Sequence, residues 1–196
     1  MGDRLLEYFG VATGLIYLFL EIKQHRAMWI VGILSSLVYV YVFFVSKVYA
    51  MMGLNLYNVI ISVYGLCQWG LLKRRTDGGM AQDVIVYRHL RWKLAVVIFV
   101  ALLLINLLVY HILKHYTDSP VPVADAIVTT IGIVATWMLA RRIIEHWIFW
   151  IVADVLSVGM YYTLKLYPTM FLYFCYTVLA FVGYYTWKKK GVKNGC

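Results

Sequence analysis

The chain has 196 residues, 63% of them hydrophobic and only 14% charged, with a formal net charge of +9. A soluble domain carries about 25% charged residues, so a water-facing globule is excluded and a lipid bilayer is the solvent that suits this composition. The excess of Lys and Arg sits in short clusters between apolar stretches, not among aromatic residues on a polar scaffold, so no nucleic-acid partner is expected.

Seven apolar segments follow one another at 6–22, 28–46, 49–72, 92–114, 122–140, 146–164 and 168–187. Each approaches the length needed to cross about 30 Å of hydrocarbon as a helix. The first opens from MGDRLLEYFG, which mixes acidic and basic residues, has no AxA-type cleavage site and reads as retained chain. Its Gly10 and Gly14 form a GxxxG pair, a close-packing device. A two-residue Ser46-Lys47 turn separates the second and third segments. The longest polar connection, Lys73 to Arg91, leaves no room for a separate soluble domain. The fourth segment ends on His111 and His115 at helical spacing with no third ligand, so no metal site is expected. Pro120 and Pro122 open the fifth segment and Pro168 the seventh, at positions where the missing N–H costs nothing. Tyr and Trp mark segment ends (Tyr8, Trp29, Trp69, Trp92, Trp147, Trp187), as interfacial belts do. Cys67, Cys175 and Cys196 form no CxxC pair and indicate neither disulfides nor metal.

Numbering the connections alternately puts fourteen of the 18 Lys and Arg residues on one side and four on the other. The positive-inside rule then predicts a cytoplasmic C-terminus and an outside N-terminus. An odd helix count satisfies that orientation.

The chain also matches itself when shifted by 118 residues, without gaps. Gly14 falls on Gly132, Trp29 on Trp147, Ile33 on Ile151, Lys47 on Lys165, Tyr49 on Tyr167, Gly65 on Gly183 and Trp69 on Trp187. Each copy is three segments long, and one segment lies between them. Both copies therefore enter the membrane in the same direction, which makes the repeat parallel. The expected organisation is a first repeat (1–72), a cytoplasmic loop with a linker helix (73–117), and a second repeat with a basic tail (118–196). The fold class is all-α integral membrane, with seven transmembrane helices. Parallel repeats of this kind occur in transporters.

Helical spacing picks out the polar and aromatic faces. In segment six, Trp147, Trp150, Asp154, Ser157 and Tyr161 share a face; their counterparts in segment two include Trp29, Gly32, Ser36 and Tyr39. Segment seven aligns Tyr173, Tyr176, Ala180, Gly183 and Trp187, and segment three Asn55, Asn58, Ser62, Gly65 and Trp69. Lipid-facing surface is aliphatic, so these faces are expected to point inward. Asp154 is the one carboxylate well inside a segment. A buried ionisable group of that kind marks either a transport pathway or a structural pair. Asn55, Asn58 and Gln68 read as ligand-binding amides or as interhelical hydrogen-bonding groups. Trp147 and Trp150 read as stacking platforms or as anchors. Glu21 and Glu145 read as solvated residues at helix ends. There is no P-loop and no hydrolytic constellation, so neither enzymatic activity nor a cofactor is expected, and facilitated diffusion is favoured.

The stretch Trp147-Ile148-Phe149-Trp150 with Asp154, Tyr161, Lys165-Leu166-Tyr167 and Tyr176 through Gly183 to Trp187 resembles the C-terminal signature of PnuC-type vitamin transporters. Lys47-Val48-Tyr49, Met52-Gly53-Leu54, Tyr57 and Gly65 to Trp69 resemble the same family in the first half. The resemblance implies a relative of the SWEET transporters in a 3+1+3 arrangement, a homotrimer, and residence in the bacterial inner membrane. It also implies uptake of a vitamin precursor that a cytoplasmic kinase then traps by phosphorylation. Asn55, Asn58, Trp69, Trp147, Trp150 and Asp154 lie on or beside the motif positions, with Ser36, Gln68, Tyr161 and Tyr176 completing the candidate substrate site. His146 and Asn55 depart from the pattern of nicotinamide riboside carriers, which turns the expectation towards thiamine, with nicotinamide riboside as the alternative. A substrate-binding subunit that needs a separate energising complex is the competing class.

Overall fold

The computed structural model of the protein describes residues 2–45, 49–71, 88–117 and 120–193. Among them it has seven helices: α1 (Gly2–Ile22), α2 (Ala27–Val45), α3 (Tyr49–Leu71), α4 (Trp92–Tyr116), α5 (Pro122–Ala140), α6 (His146–Thr163) and α7 (Tyr167–Lys193). The expected segments and the observed helices agree closely because charged and turn-forming residues punctuate them. Pro122 opens α5 and Pro168 lies in the first turn of α7, where a proline removes only an N–H that has no helical partner. The last helix runs past its apolar stretch through Lys188 and Lys189, since lysine is a good helix former wherever its charge is solvated.

Among the described residues, four helical stretches are long and apolar enough to cross a membrane: Ala27–Val45, Trp92–Tyr116, Pro122–Ala140 and Thr169–Lys189. Seven such spans were expected. α3 and α6 fall short because their apolar character is interrupted: α3 carries Asn55, Asn58, Ser62 and Gln68, and α6 carries His146, Asp154 and Ser157.

The chain divides into two compact units, Met1–Asp83 and Val84–Cys196. In the first, α2 packs on α1 and on α3; in the second, α5 packs on α4 and on α6, and α6 on α7. The principal packing partners within each unit are thus neighbours in the chain. The core of the second unit where α4 meets α5 comprises Ile98, Val134, Met138 and Ile143, flanked by Leu94, Ile105, Trp137 and Phe149. The opposite face of α4 is exposed and aliphatic, with Val97, Val100, Leu104 and Leu107, as contact with lipid requires.

Three of the helix-to-helix turns, those after α1, α5 and α6, share one design. After α1, the His25 N–H donates to the Leu20 carbonyl (2.8 Å) and the Gln24 N–H to the Glu21 carbonyl (2.9 Å). After α5, the Ile143 N–H donates to Met138 (3.0 Å) and the Arg142 N–H to Leu139 (2.9 Å). After α6, Leu166 and Lys165 close the same pair of bonds on Tyr161 and Tyr162. These are Schellman motifs, in which the residue just past the helix takes a left-handed conformation that usually belongs to glycine. Here the residues are Gln24 (φ 60°), Arg142 (φ 59°) and Lys165 (φ 59°).

The turn between α5 and α6 is also tied to the segment before α4. Arg88 pairs with Ile143 as an isolated parallel bridge: its N–H donates to the Arg142 carbonyl (3.1 Å), and its carbonyl accepts from Ile144 (3.2 Å). The Glu145 carboxylate accepts the Leu90 N–H at 3.1 Å and faces His89 Nδ1 at 3.1 Å. Glu145 is therefore a clamp between chain segments and not a solvated helix-end residue. Glu21 is likewise buried at 2% exposure, against the expectation that it is solvated.

Candidate substrate site

Four tryptophans anchor the two units. In the first, Trp29 of α2 and Trp69 of α3 meet edge to face, with centroids 5.8 Å apart and planes at 81°. In the second, Trp147 of α6 and Trp187 of α7 meet with the same 5.8 Å and 81°. All four are fully buried. Each first tryptophan rests on a glycine of the facing helix: a Cβ on Gly65 would lie 2.5 Å from Trp29, and a Cβ on Gly183 would overlap the Trp147 ring. Only glycine leaves room for an indole at that helix crossing. The sequence candidates Trp147 and Trp69 thus belong to the interior packing of their units. His146 joins the second cluster. It is fully buried, with ring centroids 4.8 Å from Trp147 and 4.9 Å from Trp187 and Nδ1 2.7 Å from the Ile143 carbonyl.

The units differ one helical turn further on. A Cβ on Gly32 of α2 would meet Ser62 Oγ at 3.0 Å and the Tyr17 ring at 3.3 Å. The position equivalent to Gly32 is Trp150, and the one equivalent to Tyr17 is Ala135. A large side chain therefore comes from α1 in the first unit and from α6 in the second, where Trp150 lies 3.7 Å from the place a Gly132 Cβ would occupy. Trp150 is half-buried, and its indole N–H is buried with no hydrogen-bond partner among the described residues. A buried donor in that state costs about 1–3 kcal/mol, which an incoming acceptor would recover.

Beyond Trp150, α6 and α7 assemble a carboxylate among phenols. Asp154 is 7% exposed and lies near Tyr173 and Tyr176 of α7. The Tyr161 and Tyr173 rings lie with centroids 5.1 Å apart. Tyr173 and Tyr176 meet edge to face at 5.7 Å. Ser157, on the same face, donates its hydroxyl to the Ala153 carbonyl of its own helix (2.8 Å). Thus α6 and α7 bring three sequence candidates together: Asp154, Tyr161 and Tyr176. Sequence reasoning had placed Tyr173 on the right face but left it out of the site. Its signal was the mismatch with Asn55 in the 118-residue register. In the first unit Ser36 is buried, and Asn55, Asn58 and Gln68 are half-buried along α3.

Chemically, a buried carboxylate with tyrosines beside it can hold an organic cation: the charge answers it, and an aromatic face presented to the cation reinforces the attraction. A buried carboxylate among tyrosines within apolar helices is the kind of group that marks a transport pathway in membrane proteins. The comparisons with known proteins give the particular family. The family described as nicotinamide mononucleotide transporter matches residues 4–189, and the chain belongs to it. Among curated relatives, it is 24% identical over 194 residues to the nicotinamide riboside transporter PnuC of Neisseria mucosa, covering 95% of this chain and 73% of that protein. It is 20% identical over 212 residues to the PnuC of Escherichia coli, covering 97% and 87%, and 24% identical over 189 residues to that of Haemophilus influenzae, covering 95% and 80%. A solved structure described as the vitamin B3 transporter PnuC superposes with a TM-score of 0.74 at 23% identity, over 99% of this chain and 85% of that one. The fold is shared with that structure, and the chain is a multi-pass vitamin transporter of the bacterial inner membrane.

Proposed function

We propose that this protein imports nicotinamide riboside by facilitated diffusion. The observation that carries the proposal is the buried Asp154 carboxylate among Tyr161, Tyr173 and Tyr176. Nicotinamide riboside presents a flat pyridinium, and one carboxylate with tyrosine faces suits that cation. The unpartnered Trp150 N–H offers a donor to a carboxamide or ribose oxygen. In the first unit, Ser36, Asn55 and Asn58 are the polar groups proposed to take part.

The lean towards thiamine rested on His146 and Asn55. His146 is enclosed by two tryptophans with Nδ1 against a backbone carbonyl, so its identity reflects packing and carries no information about a ligand. The three curated relatives named above are described as nicotinamide riboside transporters, which supports that substrate.

The wider reading has seven membrane helices in two parallel three-helix repeats, with the N-terminus outside and the C-terminus in the cytoplasm. The identical tryptophan geometry of the two units and the matched turns at Gln24 and Arg142 support the repeat. We also propose a homotrimer, with a cytoplasmic kinase trapping the imported nucleoside.

The test is uptake into liposomes holding only the purified protein. Radiolabelled nicotinamide riboside is expected to enter saturably, with labelled thiamine at the protein-free rate. Saturable thiamine uptake without nicotinamide riboside uptake would reverse the substrate. Tight binding without flux would favour a subunit that depends on a separate energising complex.

A further inference from the structure

A second site lies away from Asp154, where the segment before α4 crosses the turn between α5 and α6. A cavity of about 590 Å³ opens there, lined by Arg88, His89, Arg91, Leu94, Arg141 and Ile143. Three arginines line one concavity, which ordinary surface design avoids because like charges repel. The backbone sets the place of each on the rim. Arg88 is fixed by its bridge to Ile143. Arg91 is the residue that precedes α4. Arg141 caps the C-terminus of α5, with its guanidinium 4.8 Å over the Trp137 ring.

The helix that opens onto the cavity adds to the positive field. The N-terminus of α4 has no side-chain cap and no acidic residue in its first turn, so its dipole is unanswered by the chain and its first N–H groups lack helical partners. Glu145, the carboxylate of the adjoining turn, engages His89 and the Leu90 N–H. Among the described residues, no carboxylate is ion-paired to Arg88 or Arg91.

We propose that this cavity binds a phosphate-bearing anion. Planar guanidinium forks match phosphate oxygens two at a time, and backbone N–H groups at a helix start complete the usual anion geometry. The volume accommodates a group the size of a glycerophosphate or a pyrophosphate. The same chemistry arrives either on an acidic phospholipid headgroup or as a free phosphate compound. The site is separate from the Asp154 cluster in location and in charge preference, and it does not depend on which vitamin is carried.

The experiment uses the full chain in detergent with two probes. Native mass spectrometry compares retention of phosphatidylglycerol with that of zwitterionic phosphatidylcholine. Calorimetric titration with inorganic pyrophosphate, without added lipid, reads the soluble source. Wild-type protein is expected to retain phosphatidylglycerol selectively, to bind pyrophosphate, or both. Lipid alone would assign the site to a headgroup, and pyrophosphate alone to a soluble phosphate. Each of Arg88→Gln, Arg91→Gln and Arg141→Gln is expected to weaken binding about tenfold, the loss expected for one charge-assisted contact. Arg91→Lys should retain part of the affinity as a point charge. The proposal is overturned if wild-type protein shows no preference over phosphatidylcholine and no pyrophosphate binding, a result that needs no variant to fold. It is overturned equally if the single variants bind as tightly as wild type.

Discussion

The ring of Trp147 occupies the space that a Cβ on Gly183 would need. Replacing Gly183 by Ala gains about 0.5–1 kcal/mol of helix propensity, but forcing a methyl group against a fully buried indole costs about 1–3 kcal/mol. The second effect is the larger, so Gly183→Ala and Gly65→Ala are both expected to lower stability by about 1–2 kcal/mol. Gly53 and Gly159 have nothing within 4 Å of a built Cβ, and alanine there is expected to raise it. Thermal unfolding of the four variants in detergent checks the contrast; equal shifts at all four would refute the packing argument.

Lys165 adopts φ 59° at the end of α6, and a non-glycine residue in that region costs about 1–2 kcal/mol. Its side chain is exposed, so little is lost with it. Lys165→Gly is expected to stabilise the protein by roughly 0.5–1 kcal/mol, seen as a higher Tm. A fall in Tm would mean that the lysine makes a contact worth more than the strain.

The Glu145 clamp separates two contributions. The Leu90 N–H is a partly buried donor to a carboxylate, and leaving it unmet costs about 1–3 kcal/mol. His89 has a side chain 65% exposed, and such an ion pair contributes at most about 1 kcal/mol. Glu145→Ala is therefore expected to destabilise several times more than His89→Ala. Comparable losses in denaturation of the two variants would show that the ion pair, and not the backbone contact, dominates.

Asp154→Asn keeps the size of the side chain and removes its charge. If Asp154 answers the substrate cation, uptake of nicotinamide riboside should fall at least about tenfold while the thermal transition is retained. Tyr176→Phe keeps the aromatic face and should lower uptake less. Unchanged uptake and affinity in Asp154→Asn would leave the carboxylate a structural member of the tyrosine cluster.

Most helix boundaries were legible because Lys, Arg, Pro and short polar turns interrupt the apolar stretches. The 118-residue register also carried more than it was asked for. It aligned Trp29 with Trp147 and Gly65 with Gly183, and those pairs prove to be one contact made twice. What it could not say was whether a tryptophan on an inner face stacks on a ligand or fills a gap, because both uses select the same side chain at the same spacing. Only the glycine opposite distinguishes them. The Glu145 clamp was illegible for another reason: it joins residues 56 positions apart, beyond the reach of any local pattern. Tyr173 shares an inner face with Tyr176, and spacing along one helix could not say which of the two tyrosines lies beside Tyr161 of the next helix.

The habit of each helix packing on its chain neighbour has a consequence for biosynthesis. A contact between adjacent helices closes a short loop at little entropic cost. Synthesis proceeds at about 5–20 residues per second, far more slowly than helices form and meet. The indole of Trp29 can therefore settle against Gly65 once α3 has left the ribosome, while α4 to α7 are still unmade. The nascent chain is in that sense assembled in instalments, each hiding its polar face before the next is delivered to the membrane.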